Sequence, residues 1–423
     1  MMAILAGIAT VLAGIGVAQA LAASRLVARF AGRLAGTPAV RPPVTVLKPL
    51  HGDEPLLEAA LETLFRQDYP TFQIVFGVAH EADSAVAVVR RLQARFPDVD
   101  AALVVDPTRH GRNGKVGNLI NMMAAVRHDV LVVADADIHT RPDYLDSLML
   151  ALEQPGVGLV TTLYAGLPFA GTSGAPALPA RLGAAQITYG FLPGALLARA
   201  LGRQDCLGAT MCLQRRELDR VGGFAVLVDH LADDNVLGRR IVGLGLRVAL
   251  ADTLTLTTVP ETDLRALCRH ELRWARTIRA LEPAGFAASV VQYPLAWALL
   301  GVVLSGGALW SIGFFLITWV VRAVAGLSVD GALEWMWRRD RSGVAQASDD
   351  TAALAFCSPV WLLPLRDVLS VAVMVASYGG RWVDWRGHGL HADTPPPSPA
   401  QPVRLRAVFA RSSETPSRKT TDR

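Results

Sequence analysis

The chain has 423 residues, 52% hydrophobic and only 18% charged, with a net charge of +4. Its length allows one large domain or two, and its apolar excess sits in blocks, which points to membrane segments rather than a wholly soluble protein. Interleaved basic and aromatic patches are missing, which argues against a nucleic-acid partner; Cys206, Cys212, Cys268 and Cys357 lack metal-like or disulfide-like spacing and read as reduced thiols.

Residues 1–24 carry no charge, a run long enough to cross a bilayer. The head lacks a basic residue and the apolar run is too long for a signal peptide, so a retained anchor is expected. Arg25, Arg29, Arg33 and Arg41 follow with no acid among them, which leaves the next segment in the cytoplasm. From Val44 the pattern changes. Val44–Leu47, Gln73–Ala79, Ala102–Val105 and Val130–Ala134 read as strands. Leu57/Ala60/Leu61/Leu64/Phe65, Val86/Val89/Leu92/Phe96 and Val116/Leu119/Ile120/Met123 read as helix faces between them. Strand starts roughly thirty residues apart mark βαβ units and a parallel sheet.

Pro142 suits the first turn of a helix buried through Leu145, Leu148, Met149 and Leu152. Val157–Leu163 is a strand candidate, and Gly166 to Pro179 reads as a mobile loop. Leu182 to Leu201 reads as a helix, either at the membrane surface or packed in the body. A helix is expected over 215–220, ending at Gly222-Gly223. Another is expected over Asp229–Val242, and a strand over Arg247–Thr258. The uncharged run Pro283–Val321, roughly forty residues, fits two spans turning at Ser305-Gly306-Gly307. A third apolar stretch, Ala352 to Gly379, is interrupted by Arg366-Asp367; whether it spans, re-enters or lies in the interface stays open. Residues 392–423 are rich in Pro, Ser and Arg and are expected to be disordered.

Four groups of residues carry chemistry. Asp135 and Asp137 end an apolar strand, where an open parallel sheet binds ligands, and two carboxylates there suit a divalent ion; a turn or helix cap is the plainer alternative. His110-Gly111-Arg112-Asn113-Gly114-Lys115 opens a helix with backbone N–H groups and a lysine suited to a diphosphate, or is a solvated loop. Asp233-Asp234 lies in an apolar neighbourhood, as helix-capping acids or as functional carboxylates. His270-Glu271-Leu272-Arg273-Trp274 places His270 and Trp274 on one helical face. Arg273, Arg276 and Arg279 partly share another, suited to lipid headgroups or, for Arg273, to a phosphate-bearing leaving group.

Taken together, Asp135-Ala136-Asp137, Ala232-Asp233-Asp234 and His270-x-x-Arg273-Trp274 resemble the D, D, D, (Q/R)xxRW pattern of processive-like inverting glycosyltransferases. Within that group the chain is most similar to the ceramide glucosyltransferase family, family 21. Lys48-Pro49-Leu50-His51-Gly52, Gln67-Asp68-Tyr69-Pro70, Asn113 to Leu119 and Cys206 to Arg215 fit it too. The His-Glu-Leu-Arg-Trp-Ala-Arg run resembles the bacterial hopanoid-biosynthesis branch. The likeness covers about residues 1–390.

This resemblance implies an α/β, Rossmann-like GT-A catalytic domain with a mostly parallel sheet over 42–282, on the cytoplasmic side of a bacterial inner membrane. A transmembrane anchor at 1–24 would precede it and a membrane region at 283–380 would follow. It implies a UDP-sugar donor, with UDP-N-acetylglucosamine preferred, a membrane-lipid acceptor, and Mg2+ or Mn2+. The preferred acceptor is a hopanoid and the alternative a ceramide. Asp135 would hold the nucleotide with Lys115 and Asp233 nearby, Asp137 the metal, and Asp234 would be the general base. Arg273, Trp274 and His270 would sit over the diphosphate and acceptor. The family's first aspartate aligns with His80, so Glu81 and Asp83 are expected to contact the uridine instead. An inactive membrane-anchored nucleotide-binding scaffold is the reading of a different class.

Overall fold

The computed structural model describes residues 1–33, 36–171, 174–339, 355–357 and 359–380, and the backbone of 382–385 and 388–391. The expected tail at 392–423 lies outside them. Each apolar run that reads as a strand becomes one: β1 (Val44–Pro49), β2 (Phe72–Val78), β3 (Asp100–Val105) and β4 (Val130–Ala134). Helices α2 (Leu57–Phe65), α3 (Ser84–Arg95) and α4 (Gly114–Met122) cross between them. The short β5 (Ile138–His139), α5 (Tyr144–Leu152), β6 (Val157–Pro168), β7 (Thr210–Gln214), α8 (Arg215–Arg220), α9 (Asp233–Gly243) and β8 (Arg247–Val259) follow.

The eight strands form one sheet in the order β3-β2-β1-β4-β7-β6-β8-β5. Strands β3, β2, β1 and β4 are mutually parallel, with Val46 opposite both Ile74 and Val132. β7 then runs antiparallel to β4 and to β6, β6 pairs in parallel with β8, and β5 closes the edge antiparallel to β8. Because side chains alternate along a strand, Val44, Val46, Ile74 and Phe76 face α2, α3 and α5. Leu47, Val75, Leu131 and Val133 face α4, α8 and α9. The chain winds outward from β1 to β3 and returns on the other side of β1 as β4. That reversal opens a crevice beyond the carboxyl ends of β1 and β4.

Two local expectations change. Gly166 to Pro168 belongs to β6 rather than to a loop. Gly166 is required there by close approach: a Cβ would lie 2.5 Å from Ala184 Cα on α6 (Leu178–Gln186). Helix α9 starts at Asp233, not Asp229, because Asn113 holds the preceding segment open. Asn113 N–H donates to the Val228 carbonyl (2.6 Å), and its side-chain amide donates to the His230 carbonyl (2.8 Å).

Among the described residues, the terminal regions hold three helices long and apolar enough to cross a membrane: α1 (Met2–Ala31), α13 (Leu309–Arg338) and the stretch Val360–Ser377, which contains α14 (Leu363–Ser377). Helix α1 runs past the expected end at residue 24. Val27 and Phe30 on its last turns pack with Leu163 of β6 and Leu254 of β8, fastening the helix to the sheet. The first half of the uncharged run is not one straight span. It bends by 67° between Pro283–Gln292 and α12 (Pro294–Leu304). Pro294 has no N–H to give, and Tyr293 before it leaves helical geometry at φ −109°, ψ 66°. Arg366 and Asp367 are both buried and both partnered. Arg366 forks onto Glu271 at 2.6 and 2.7 Å, and Asp367 accepts the Leu295 N–H at 3.1 Å.

Candidate active site

Four segments meet at the crevice. Lys48, at the end of β1, is fully buried and donates from Nζ to the Asp135 backbone carbonyl. Burial pushes its ammonium down to about 8, against the pull of Asp137 and Asp135. Lys115 enters from the first turn of α4, which Asn113 caps by accepting the Val116 N–H (3.1 Å). Its Nζ lies 2.7 Å from Asp135 Oδ1 and 3.6 Å from Asp233 Oδ2. Burial disfavours the charge of Lys115, but Asp135 and Asp233 outweigh that and hold it protonated. The turn before it needs Gly111, since a Cβ there would sit 2.6 Å from Val228 Cβ. That contact presses the turn against the segment leading to Asp233 and Asp234.

The acids outnumber the cations. Asp137 accepts from Thr257 Oγ1 on β8, and burial together with Asp135 raises its carboxyl. Asp233 is buried and raised by burial despite Lys115; its Oδ2 has no hydrogen-bond partner among the described residues. Asp234 is pushed up to about 7 by burial and by Asp233 beside it. Its Oδ2 lies where Gly208 leaves room: a Cβ at Gly208 would come within 2.9 Å of it.

Helix α10 (Leu264–Leu281) brings the aromatic wall. His270 Nδ1 pairs with the buried Glu261 carboxylate just beyond β8, and the His270 ring meets Trp274 edge-on at 4.9 Å. Burial would raise Glu261, but the bond and charge of His270, then Arg273, hold it below its ordinary value. Trp274 and Tyr164 of β6 pack against the same apolar cluster of Ala180, Ala184, Ile187 and Val259, and the Tyr164 ring meets Phe191 at 4.8 Å. Burial, then the charges of Asp234, Asp135 and Asp137, raise the Tyr164 phenol.

The structure thus brings Asp135, Asp137, Lys115, Asp233 and Asp234 into one cluster, while His270, Arg273 and Trp274 share α10, with Glu261 paired to His270. Glu81 and Asp83 lie just past the end of β2. Glu81 pairs with Arg90 on the exposed surface, while Asp83 caps α3 through the Ala85 N–H (2.9 Å) and holds the Gly52 N–H (3.0 Å). Tyr164 and Glu261 carry no sequence signal: one is a lone tyrosine in an apolar strand, the other one of two acids, with Asp263, between Pro260 and α10. Lys48 is visible only as part of a motif.

Asp135 and Asp137 supply hard oxygen ligands whose mutual repulsion a cation would relieve. Among the described residues no group of three or more His, Cys, Asp or Glu could hold a metal alone. Two carboxylates suit an ion such as Mg2+, which takes one or two of them and completes its shell with water and substrate phosphates.

The family model for glycosyl transferase family 21 matches residues 8–396. The chain belongs to that family. Ceramide glucosyltransferase 1 of Caenorhabditis elegans is 25% identical over 248 residues, 57% of this chain and 51% of that protein. A ceramide glucosyltransferase of Komagataella phaffii is 34% identical over 99 residues, 22% and 19% of the two chains. The chain thus spans about half the length of the Caenorhabditis relative, and less of the other. A mannosyltransferase from Pyrobaculum calidifontis, solved with GDP-Man and Mn2+, shares the fold at a TM-score of 0.50 and 21% identity. The match covers 88% of this family 21 chain and 99% of that one.

Proposed function

We infer that this family 21 member transfers a sugar from a UDP-sugar to a lipid hydroxyl with inversion. The observation that carries this reading is the meeting of Asp135, Lys115, Asp233 and Asp234 at the crevice. Lys115 and Arg273 would face the diphosphate, where fixed positive charge favours a departing nucleotide. Asp135 and Asp137 would hold Mg2+ or Mn2+, which when bound neutralises negative charge on the leaving diphosphate. Asp234, with its affinity for a proton raised, would take the proton of the acceptor hydroxyl. The acceptor oxygen then bonds to the anomeric carbon as the bond to UDP breaks and its electron pair leaves with UDP. One displacement inverts the centre. We read 42–282 as the catalytic domain, on the cytoplasmic face of a bacterial inner membrane, with 1–24 and 283–380 as membrane segments.

We favour UDP-N-acetylglucosamine and a hopanoid on the resemblance of the His270–Arg276 run. The ceramide glucosyltransferase relatives favour a second reading, glucose transfer to ceramide. Purified full-length protein, offered both UDP-sugars with a hopanoid polyol and a ceramide, should yield one glycosylated lipid by mass spectrometry. Absence of UDP release with every pair would overturn glycosyl transfer and leave the inactive scaffold.

A further inference from the structure

Beyond Asp137 the chain runs straight into the junction with the membrane helices. The stretch from Thr140 to Asp146 follows β5 directly and is gripped from three sides. The first grip is the Gln67-Asp68-Tyr69-Pro70 motif just past α2. Gln67 Nε2 donates to the Arg141 carbonyl (2.7 Å) and to Thr140 Oγ1 (3.1 Å), and its Oε1 accepts the Leu145 N–H (3.2 Å). The second grip comes from the linker that leaves α1. Arg41 Nε donates to the buried Asp146 carboxylate (2.8 Å), and Tyr69 holds the same linker by donating to the Pro42 carbonyl (2.7 Å).

The third grip is Arg141 itself. Its buried side chain reaches the carboxyl end of α13, where the last carbonyls of a helix lack partners of their own and favour a cation. Nη1 donates to the Trp337 carbonyl (2.9 Å) and to that of Met336, and Nη2 to that of Arg339, while Nε is steadied by Asp143 (3.0 Å). This end of α13 has the marks of a membrane interface on the cytoplasmic side: Trp335 is half exposed, the Arg339 guanidinium lies 4.7 Å over its ring, and Arg338 adds a second positive charge. Four residues along the chain, at most about 14 Å, separate Arg141 from Asp137. They are held in place, because β5 pairs with β8 and the Asp137 carbonyl accepts the Thr258 N–H (3.2 Å).

We propose that Arg141 is a positioning residue that fixes the height of the Asp135–Asp137 strand end above the bilayer, so that a molecule still embedded in lipid meets the crevice; that this molecule is the acceptor rests on the transfer reading above. Arg41 ties the Thr140–Asp146 stretch to the chain leaving α1, and Arg141 ties it to α13, so two membrane segments converge on the residues next to the carboxylates. An acceptor free to move with its surroundings needs no such tie. One held at a fixed depth does, since a misplacement of about 1 Å can cost up to about 10²-fold in rate. A guanidinium that served the fold alone would matter equally for both.

The test uses full-length protein with a hopanoid polyol and a ceramide, each presented once in nanodiscs, where the lipid plane is fixed, and once in detergent micelles, where it is not. Arg141→Gln should lower kcat/KM for the lipid in nanodiscs about 10–10²-fold, and in micelles by no more than about twofold, with UDP-sugar binding by calorimetry unchanged. Arg141→Lys, which keeps the charge and three donors, should recover part of the loss. Should Arg141→Gln not fold, Asp143→Asn, which only loosens the guanidinium, should show the same split at smaller size. Height is read without any transfer by a dye at Arg109→Cys, in the exposed loop between β3 and α4 of a chain carrying Cys268→Ser and Cys357→Ser, through energy transfer to headgroup dyes in the nanodisc. One narrow distance is expected with Arg141 in place, and a shifted, broader one in Arg141→Gln. Equal losses in nanodiscs and micelles, no loss in either, or an unmoved dye distance overturns the proposal. A moved dye distance in a protein that transfers sugar to neither lipid keeps the tie and removes the transferase reading.

Discussion

The protein holds two buried ionic clusters, and they are built to opposite ends. In the helix bundle, Glu271 and Arg366 form a two-pronged pair, and Arg366 also donates to the Leu182 carbonyl (3.1 Å) and Ser370 (3.1 Å). Every charge there has a partner of the other sign. In the crevice, Asp135, Asp137, Asp233 and Asp234 crowd around Lys115 and Lys48, and three of the four acids are driven upward. The first cluster is finished by the fold and holds helices together. The second carries excess negative charge that a cation and a substrate would balance, so it lowers stability in exchange for readiness.

Asp234→Asn breaks the crevice most sharply. Turnover should fall about 10²–10⁴-fold, the range for removing a general base, while UDP-sugar binding measured by calorimetry persists. Near-normal turnover would remove Asp234 from that role. The same substitution should raise the melting temperature at pH 8. A carboxyl raised in the folded state binds its proton more tightly there than in the unfolded chain. Its favourable contribution is present in acid and is lost as pH rises through about 7. Activity should run the other way and climb through that same range, because the base works only when ionised. A variant that loses both activity and stability at pH 8 would mean that Asp234 serves the fold.

Arg366→Met breaks the finished cluster. It strands the Glu271 carboxylate, whose side chain is only 11% exposed, and should lower stability by about 3–5 kcal/mol. Adding Glu271→Leu should restore most of that loss, because two apolar side chains leave no buried charge behind. If the double variant is no more stable than the single one, the pair acts through packing rather than charge. The contrast with Asp234→Asn is the point of the experiment: one removal of charge from this protein stabilises it and the other unfolds it.

That contrast also marks what the sequence could and could not tell. Strands β1 to β4 were plain because each is a continuous apolar run between helix patterns; the reversal that puts β4 beside β1 was not, because order along the chain does not fix order in a sheet. The mixed half of the sheet was not. β6 continues through Gly166-Leu167-Pro168, residues that signal a loop until α6 packs against Gly166. Arg366 and Asp367 stood out as charges in an apolar stretch, but Glu271 lies 95 positions from Arg366, and nothing local names it as a partner. The carboxylate motifs were legible as motifs; their meeting at Lys115 depends on Asn113 and Gly111 gripping the 228–230 segment. Tyr164 escaped because its role comes only from where β6 places it.

Asp137→Asn probes the acids from the other side. With one oxygen ligand neutralised, the concentration of Mg2+ or Mn2+ needed for half-maximal UDP-sugar binding should rise about 10–100-fold, the usual range for damage near a metal site. Without added metal, the variant should be the more stable protein, because burial and Asp135 already raise this carboxyl. Metal should therefore stabilise the native chain more than the variant. Equal thermal shifts on adding Mn2+ would take Asp137 out of the metal role.

The smallest effect belongs to Glu261→Gln. Glu261 holds the His270 ring by Nδ1, and that ring meets the edge of Trp274, so the carboxylate reaches the crevice only through two other side chains. Glutamine keeps the shape and an acceptor oxygen but removes the charge that His270 and Arg273 feel. A loss of about 1 kcal/mol, or roughly fivefold in kcat, is expected, with the acceptor KM moving more than the donor KM if Trp274 lies along the acceptor path. A fall as deep as that of Asp234→Asn would move Glu261 from positioning into the chemistry itself. An unchanged kcat with unchanged KM values would mean that Tyr164 and Phe191 hold Trp274 by packing alone, and that His270 is ordered for the sake of α10 rather than for the substrate.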